Sequence, residues 1–141
     1  MRRTIIAKTL LVNPDGRVLI LRRSSNDENS PGRADLPGGG VEPNESYAVA
    51  AARETGEEAG LLVQPEDLQL IYTFTKYDDA KDSVLLRLLY TAQVSNTDVQ
   101  LSHEHDAYSW QTTDEVARIM SETSWKDAVN FALQHNLLPT S

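Results

Sequence analysis

Between Leu36 and Gly60 the chain sets a proline and three consecutive glycines directly ahead of an alanine- and glutamate-rich run. Proline removes a backbone donor, and the glycines open backbone angles closed to other residues, so a stiff turn is expected at Pro37 to Gly40. Ser46 to Ala59 then reads as a helix. Asn44 or Ser46 can cap its start, and Gly60 stands where a helix-ending glycine belongs. On that helix Glu54, Glu57 and Glu58 fall at i, i+3 and i+4, which gathers three carboxylates on one face. Like charges ~4 Å apart repel by about 4 kcal/mol at an effective dielectric near 20. Such a cluster is unfavourable unless a cation neutralises it. Hard carboxylate oxygens without histidine or thiolate partners suit Mg²⁺, with Mn²⁺ as a substitute. The glycines ahead of the helix can present backbone groups to a phosphate or a metal. Glu45 is placed to orient a carboxylate, and Arg53 to hold one of the glutamates.

The rest of the chain supplies the frame. Thr4 to Val12 is β-branched and aliphatic and reads as a strand. Asn13-Pro14-Asp15-Gly16 is a turn signal, and Arg17 to Leu21 reads as the returning strand. Ser24 to Arg33 is polar and reads as a surface loop. Leu68 to Thr75 and Ser83 to Val94 read as strands joined by a hairpin loop, Lys76 to Asp82. Ala107 to Gln111 is a short strand candidate. A helix is expected from Thr113, with Asp114 and Glu115 in its first turn. A last amphipathic helix spans Trp125 to His135, with Val129, Ala132 and Leu133 on one stripe. Strands, helix, strands and helices in that order predict one α/β/α or α+β domain over residues 1–141, with a mixed sheet sandwiched between helices.

Charge and composition narrow the function. The net charge is −8, so an acidic surface disfavours nucleic-acid polymers, while a bridging divalent cation still admits small phosphorylated substrates. There is no cysteine, which excludes disulfides, thiolate zinc sites and cysteine nucleophiles and agrees with a cytoplasmic location. The opening Met1-Arg2-Arg3 faintly resembles a signal peptide. Lys8 interrupts the apolar run, however, and a turn follows where a cleavage site should be, so a first strand is expected. No segment reaches the ~18 apolar residues of a membrane span.

Residues 39 to 61 resemble the Nudix hydrolase signature G-x5-E-x7-R-E-U-x-E-E-x-G-U, where U is apolar. Gly39, Glu45, Arg53, Glu54, Glu57, Glu58, Gly60 and Leu61 fill it in register, and Thr55 at the first U position is the one departure. Seven such polar or glycine identities coincide by chance on the order of once in a million, which makes the match specific. Ile20-Leu21-Arg22-Arg23 before a loop, Leu36-Pro37-Gly38-Gly39 before the box, and Glu104 ahead of Trp110 extend the resemblance along the chain, as in a small MutT-like member.

The resemblance implies a mixed sheet between helices and Mg²⁺-dependent hydrolysis of a nucleoside diphosphate linked to another group, most simply a nucleoside triphosphate or close derivative. It implies that Glu57 and Glu58 bind metal, with Glu54 as a further ligand and the Gly38 carbonyl as another. Either Glu54 or Glu104, from a later loop, takes the proton of the attacking water. Arg53 and Glu45 orient the carboxylates. Arg23, Gly39 and Gly40 are candidates for substrate phosphate. Family members are often homodimers. A non-hydrolytic nucleotide sensor is the alternative, usually marked by an eroded box, which this chain lacks. Isopentenyl diphosphate isomerase resembles the fold but uses a catalytic cysteine. His103-Glu104-His105 lacks zinc spacing, and Tyr77 reads as a loop residue.

Overall fold

The computed structural model describes residues 1–26, 31–120 and 123–139, with only the backbone at Thr123 and Ser124. The strands are β1 (Arg2–Val12), β2 (Val18–Arg23), β3 (Ala34–Asp35), β4 (Gly38–Gly40), β5 (Gln69–Asp78), β6 (Ser83–Gln93) and β7 (His105–Gln111). The helices are α1 (Tyr47–Ala59), α2 (Thr113–Ile119) and α3 (Thr123–Gln134), with a short 3₁₀ turn at Pro65–Asp67. All seven strands join one sheet of order β3-β2-β1-β6-β5, in which β4 also pairs with β1 and β7 with β2. β1 runs parallel to β6 along its whole length, while the other pairings are antiparallel. The expected mixed sheet is therefore present.

Alternation along the two central strands explains why helices cover both faces. Leu10, Val12, Val18 and Ile20 point to one side, where Val116, Trp125, Val129 and Ala132 of the C-terminal region pack on them. Ala7, Leu11, Leu19 and Leu21 point to the other, against Ala51, Ala59 and Leu61. Successive side chains of a strand face opposite sides, so a nearly continuous apolar run is what a doubly covered strand requires. The stripe of α3 behaves as read: Val129 and Ala132 are buried, and Leu133 packs at the edge.

Three local expectations need correction. Pro37 to Gly40 is more than a turn, because Gly38–Gly40 forms β4 against Ile6 to Lys8. A side chain at Gly38, where φ is 135°, would collide with the Ala7 carbonyl and Lys8 Cα, so glycine is what lets this strand come so close. The hairpin loop is shorter than Lys76 to Asp82, since β5 continues to Asp78 and pairs with Ser83. Tyr77 accordingly sits on a strand. The expected loop from Ser24 to Arg33 includes residues 27–30, which lie outside the described residues. The first turn follows its chemistry: Asn13 Oδ1 accepts the backbone N–H groups of Asp15 and Arg17, with Gly16 at φ 77°.

Candidate active site

The helix that carries the acidic face is held at both ends by its own sequence. Ser46 is the N-cap, accepting the Val49 N–H at 3.3 Å, while Asn44 takes a left-handed conformation (φ 64°) just before it. At the other end Gly60 has φ 68° and donates its N–H to the Gly56 carbonyl. Thr55, the departure from the apolar pattern, is fully buried, and its hydroxyl meets Thr9 Oγ1 at 3.0 Å. That hydrogen bond ties the middle of α1 to β1 and satisfies both hydroxyls.

A cleft of about 310 Å³ opens beside α1. Glu54, Glu57, Glu58 and Glu104 line it together with Gly38, Gly39 and Gly40. Ile6, Lys8, Arg23, Asp35 and His105 form the remaining wall. The glycine strand, three helix glutamates, the late-loop glutamate and Arg23 thus meet in one place. Tyr77 is not part of this wall.

Arg53 organises the outer carboxylates. Its Nε donates to Glu45 Oε2 at 2.7 Å and its Nη2 to Glu45 Oε1 at 3.0 Å, a bidentate pair. Nη1 reaches Glu54 at 3.1 Å and Glu57 at 3.3 Å, and Nη2 also donates to the Gly40 carbonyl at 3.2 Å. The i,i+4 contact with Glu57 is therefore one of several, and Arg53 links helix, glycine strand and Glu45. Its hydrogen bond to Glu45 is the main cause that pulls the Glu45 carboxyl down to about 2. Arg53 in turn is held protonated still more firmly than usual, chiefly by the same bond.

The inner carboxylates sit differently. Glu58 is buried, and its Oε1 accepts the Gly38 N–H at 2.7 Å. Burial pushes its pKa up to about 7, against the opposing charge of Lys8 and the Gly38 hydrogen bond. Glu54 is also raised, first by desolvation and further by the charges of Glu57 and Glu104, with Arg53 opposing. In both, burial penalises the charged form, which a nearby positive charge would favour. Among the described residues no three carboxylate or imidazole groups already converge tightly enough to enclose an ion. Mg²⁺ as a class keeps several waters and takes one or two carboxylates plus substrate phosphates. Glu54, Glu57, Glu58 and Glu104 line one cleft with hard oxygen donors, the ligand type that such an ion takes.

Gly39 lies against this cluster. A Cβ there would stand 2.8 Å from Glu54 Oε2 and 2.9 Å from Glu54 Cδ. Gly39→Ala is expected to leave the fold intact and displace the Glu54 carboxylate, lowering kcat/KM by about 10-fold or more, since small misplacements at reacting groups are costly. Melting curves and steady-state rates check this; unchanged activity would show that the close approach is unimportant.

Three residues of the site escaped the sequence reading: Lys8, Asp35 and His105. Lys8 Nζ donates to Asp35 Oδ1 at 2.8 Å, and Asp35 Oδ2 meets His105 Nε2 at 3.1 Å and Arg23 Nε at 3.5 Å. Arg23 thus braces a buried acid as well as facing the cleft. Burial alone would raise the Asp35 pKa, but the Lys8 charge, the His105 and Lys8 hydrogen bonds and the Arg23 charge together hold it well below the usual carboxylate range. One signal was available: a lysine inside an apolar strand needs a buried acid as partner. Within His103-Glu104-His105, His103 is exposed and His105 buried, so no paired zinc ligand set forms.

The NUDIX domain profile matches residues 2–132. The chain belongs to the Nudix family. A MutT-like protein of Streptomyces ambofaciens is 34% identical over 113 residues, spanning 80% of this chain and 66% of that relative. The nucleoside triphosphatase NudI of Escherichia coli O81 is 32% identical over 116 residues, covering 77% and 81% of the two chains. The crystal structure of a MutT protein from Methanosarcina mazei Go1 superposes with a TM-score of 0.80 at 27% identity, over 96% of both chains. The chain is therefore a Nudix hydrolase by family, with the α/β/α Nudix architecture. No helix among the described residues is long and apolar enough to cross a membrane.

Proposed function

We propose that this Nudix hydrolase uses Mg²⁺ to hydrolyse a diphosphate bond in a nucleoside triphosphate or a close nucleotide derivative. The observation that carries the proposal is the cleft itself: Glu54, Glu57, Glu58 and Glu104 face the glycine strand and Arg23 across one small space. The names of the relatives, a nucleoside triphosphatase and a MutT-like protein, favour the triphosphate class.

Bound there, Mg²⁺ would neutralise charge on a diphosphate and activate water for attack. Glu57 and Glu58 would hold the ion, with Glu54 and the Gly38 carbonyl as further donors. Glu54 or Glu104 would accept the proton of the attacking water. Arg53 and Glu45 keep Glu54 and Glu57 from turning away. Gly40, open where a side chain would stand, and Gly39, packed on Glu54, would let phosphate oxygens approach the backbone, and Arg23 would offer a cation to them.

The test is a hydrolysis panel of nucleoside triphosphates, dinucleoside polyphosphates, ADP-ribose and nucleotide sugars with Mg²⁺ and with chelator. Metal-dependent turnover, highest on a triphosphate, is expected. An inert panel with tight nucleotide binding would replace hydrolysis by sensing. Millimolar Mg²⁺ is also expected to raise the melting temperature, because an ion tenfold above its Kd stabilises the folded state by about 1.4 kcal/mol. Absence of any shift in a thermal melt would argue against a preformed metal site.

A further inference from the structure

Lys8, Asp35 and His105 have no part in the chemistry described so far, yet they form a buried line from β1 through β3 and β7 to Glu58 on α1. Lys8 Nζ donates to Asp35 Oδ1 and, at 3.1 Å, to the Leu36 carbonyl. The contact between Asp35 Oδ2 and His105 Nε2 orients the imidazole ring. The other ring nitrogen, Nδ1, has no hydrogen-bond partner among the described residues and stands 3.9 Å from Glu58 Oε2. The opposite oxygen of Glu58 takes the Gly38 N–H. The carboxylate therefore accepts a strand amide on one oxygen, while the imidazole stands beside the other at 3.9 Å, beyond hydrogen-bond length. The Ser102 N–H donates to the Glu58 carbonyl at 3.2 Å, so the segment leading to His105 is also tied to the end of α1. The side chains of His105 and Glu58 are 2% and 5% exposed, so neighbours rather than water hold their orientation.

We infer that His105 is a positioning residue for Glu58, locked by Asp35 and Lys8, and that it sets the direction in which the Glu58 carboxylate faces the cleft. The inference rests on the proposed role of Glu58 as a metal ligand. With one edge held by the Gly38 N–H, the buried imidazole packed beside the other edge limits rotation of the carboxylate about its last torsion, and a turned carboxylate presents the wrong lone pairs to an ion. Groups that orient ligands in this way typically contribute about 10–100-fold to metal affinity or activity.

His105→Phe keeps the ring and removes both nitrogens, while His105→Asn keeps a polar atom near the place of Nδ1. Both are made alone and together with Glu58→Gln. Mn²⁺ binding is measured by electron paramagnetic resonance. The Mg²⁺ concentration for half-maximal turnover and the nucleotide KM at saturating Mg²⁺ are measured beside it. His105→Phe is expected to weaken Mn²⁺ binding by about 10–100-fold, to raise the Mg²⁺ requirement in parallel and to leave KM within about twofold. His105→Asn should recover part of the loss. In the Glu58→Gln background the same change should add little, because coupled residues are non-additive. Wild-type Mn²⁺ affinity in His105→Phe, beside a clear loss in Glu58→Gln, would overturn the positioning role alone. Undiminished Mn²⁺ binding and turnover in Glu58→Gln would overturn the ligand assignment and the inference together. Should His105→Phe fail to fold, His105→Leu, which also removes both ring nitrogens in a smaller volume and leaves the Lys8–Asp35 pair intact, carries the same expectation.

Discussion

Glu58→Gln and Glu57→Gln are each expected to lower kcat by at least about 10³-fold, since a metal ligand at the reacting diphosphate accounts for several kcal/mol of transition-state stabilisation and each 1.36 kcal/mol is tenfold in rate. The two should differ in stability. The Glu57 side chain is 58% exposed, and its removal is nearly neutral for folding. Glu58 is buried, with its pKa pushed up to about 7 by desolvation. A folded carboxylic acid with a raised pKa holds its proton more tightly than the unfolded chain does. Stability therefore falls as pH rises from the unfolded value near 4.5 to about 7, and the penalty is complete above that. With divalent ions chelated at pH 8, Glu58→Gln should remove a penalty on the order of 2 kcal/mol and melt higher than the wild type. Glutamine still accepts the Gly38 N–H, so the fold keeps that contact. Activity lost and stability gained in one variant would be the mark of a group kept for function. Near-normal turnover in both variants would sink the ligand assignment.

Lys8→Met is expected to be the most destabilising single change in the cleft. It strips the principal cation from Asp35, whose side chain is only 8% exposed, and removal of one partner from a buried pair costs about 3–5 kcal/mol. That corresponds to a drop of roughly 10 °C in melting temperature for a chain of this size. The pH dependence follows from the direction of the Asp35 shift. Its pKa is depressed, so the stabilisation is present above the ordinary carboxylate value and disappears only as pH falls through the much lower folded value. The gap between wild type and variant should thus hold from pH 8 to pH 5 and close in strong acid. Lys8→Met combined with Asp35→Leu should recover much of the loss, because an apolar pair replaces an uncompensated charge. Thermal melts followed by circular dichroism decide it; a Lys8→Met midpoint within about 2 °C of wild type would show that His105 and Arg23 suffice for Asp35.

The acidic half of the cleft was legible in the chain order because its groups lie close in sequence. Glu54, Glu57 and Glu58 share a helix face by periodicity alone, Gly60 ends that helix by its conformational freedom, and Arg53 reaches Glu57 one turn away. The nearly continuous apolar runs of β1 and β2 likewise fit a sheet covered on both sides. Glu45 was legible as a companion of the cluster, but its bidentate grip on Arg53 depends on the fold of the segment between them.

The other half depended on distance in sequence. Gly38–Gly40 looked like a turn because three glycines carry no side-chain pattern; only the close approach of Lys8 and Ala7 makes them a strand. Lys8 looked like an interruption because its partner lies 27 residues away, and His105 lies 70 residues from Asp35. Local spacing places side chains on one helix or strand, since bond geometry fixes periods of 3.6 and 2.0 residues. It is silent on which charges meet across a sheet, because that follows from strand order and register. The order of residues 39 to 61 thus set the acidic, glycine-fronted chemistry of this protein. The sheet decided which buried groups stand behind Glu58, by bringing β1, β3 and β7 together under α1.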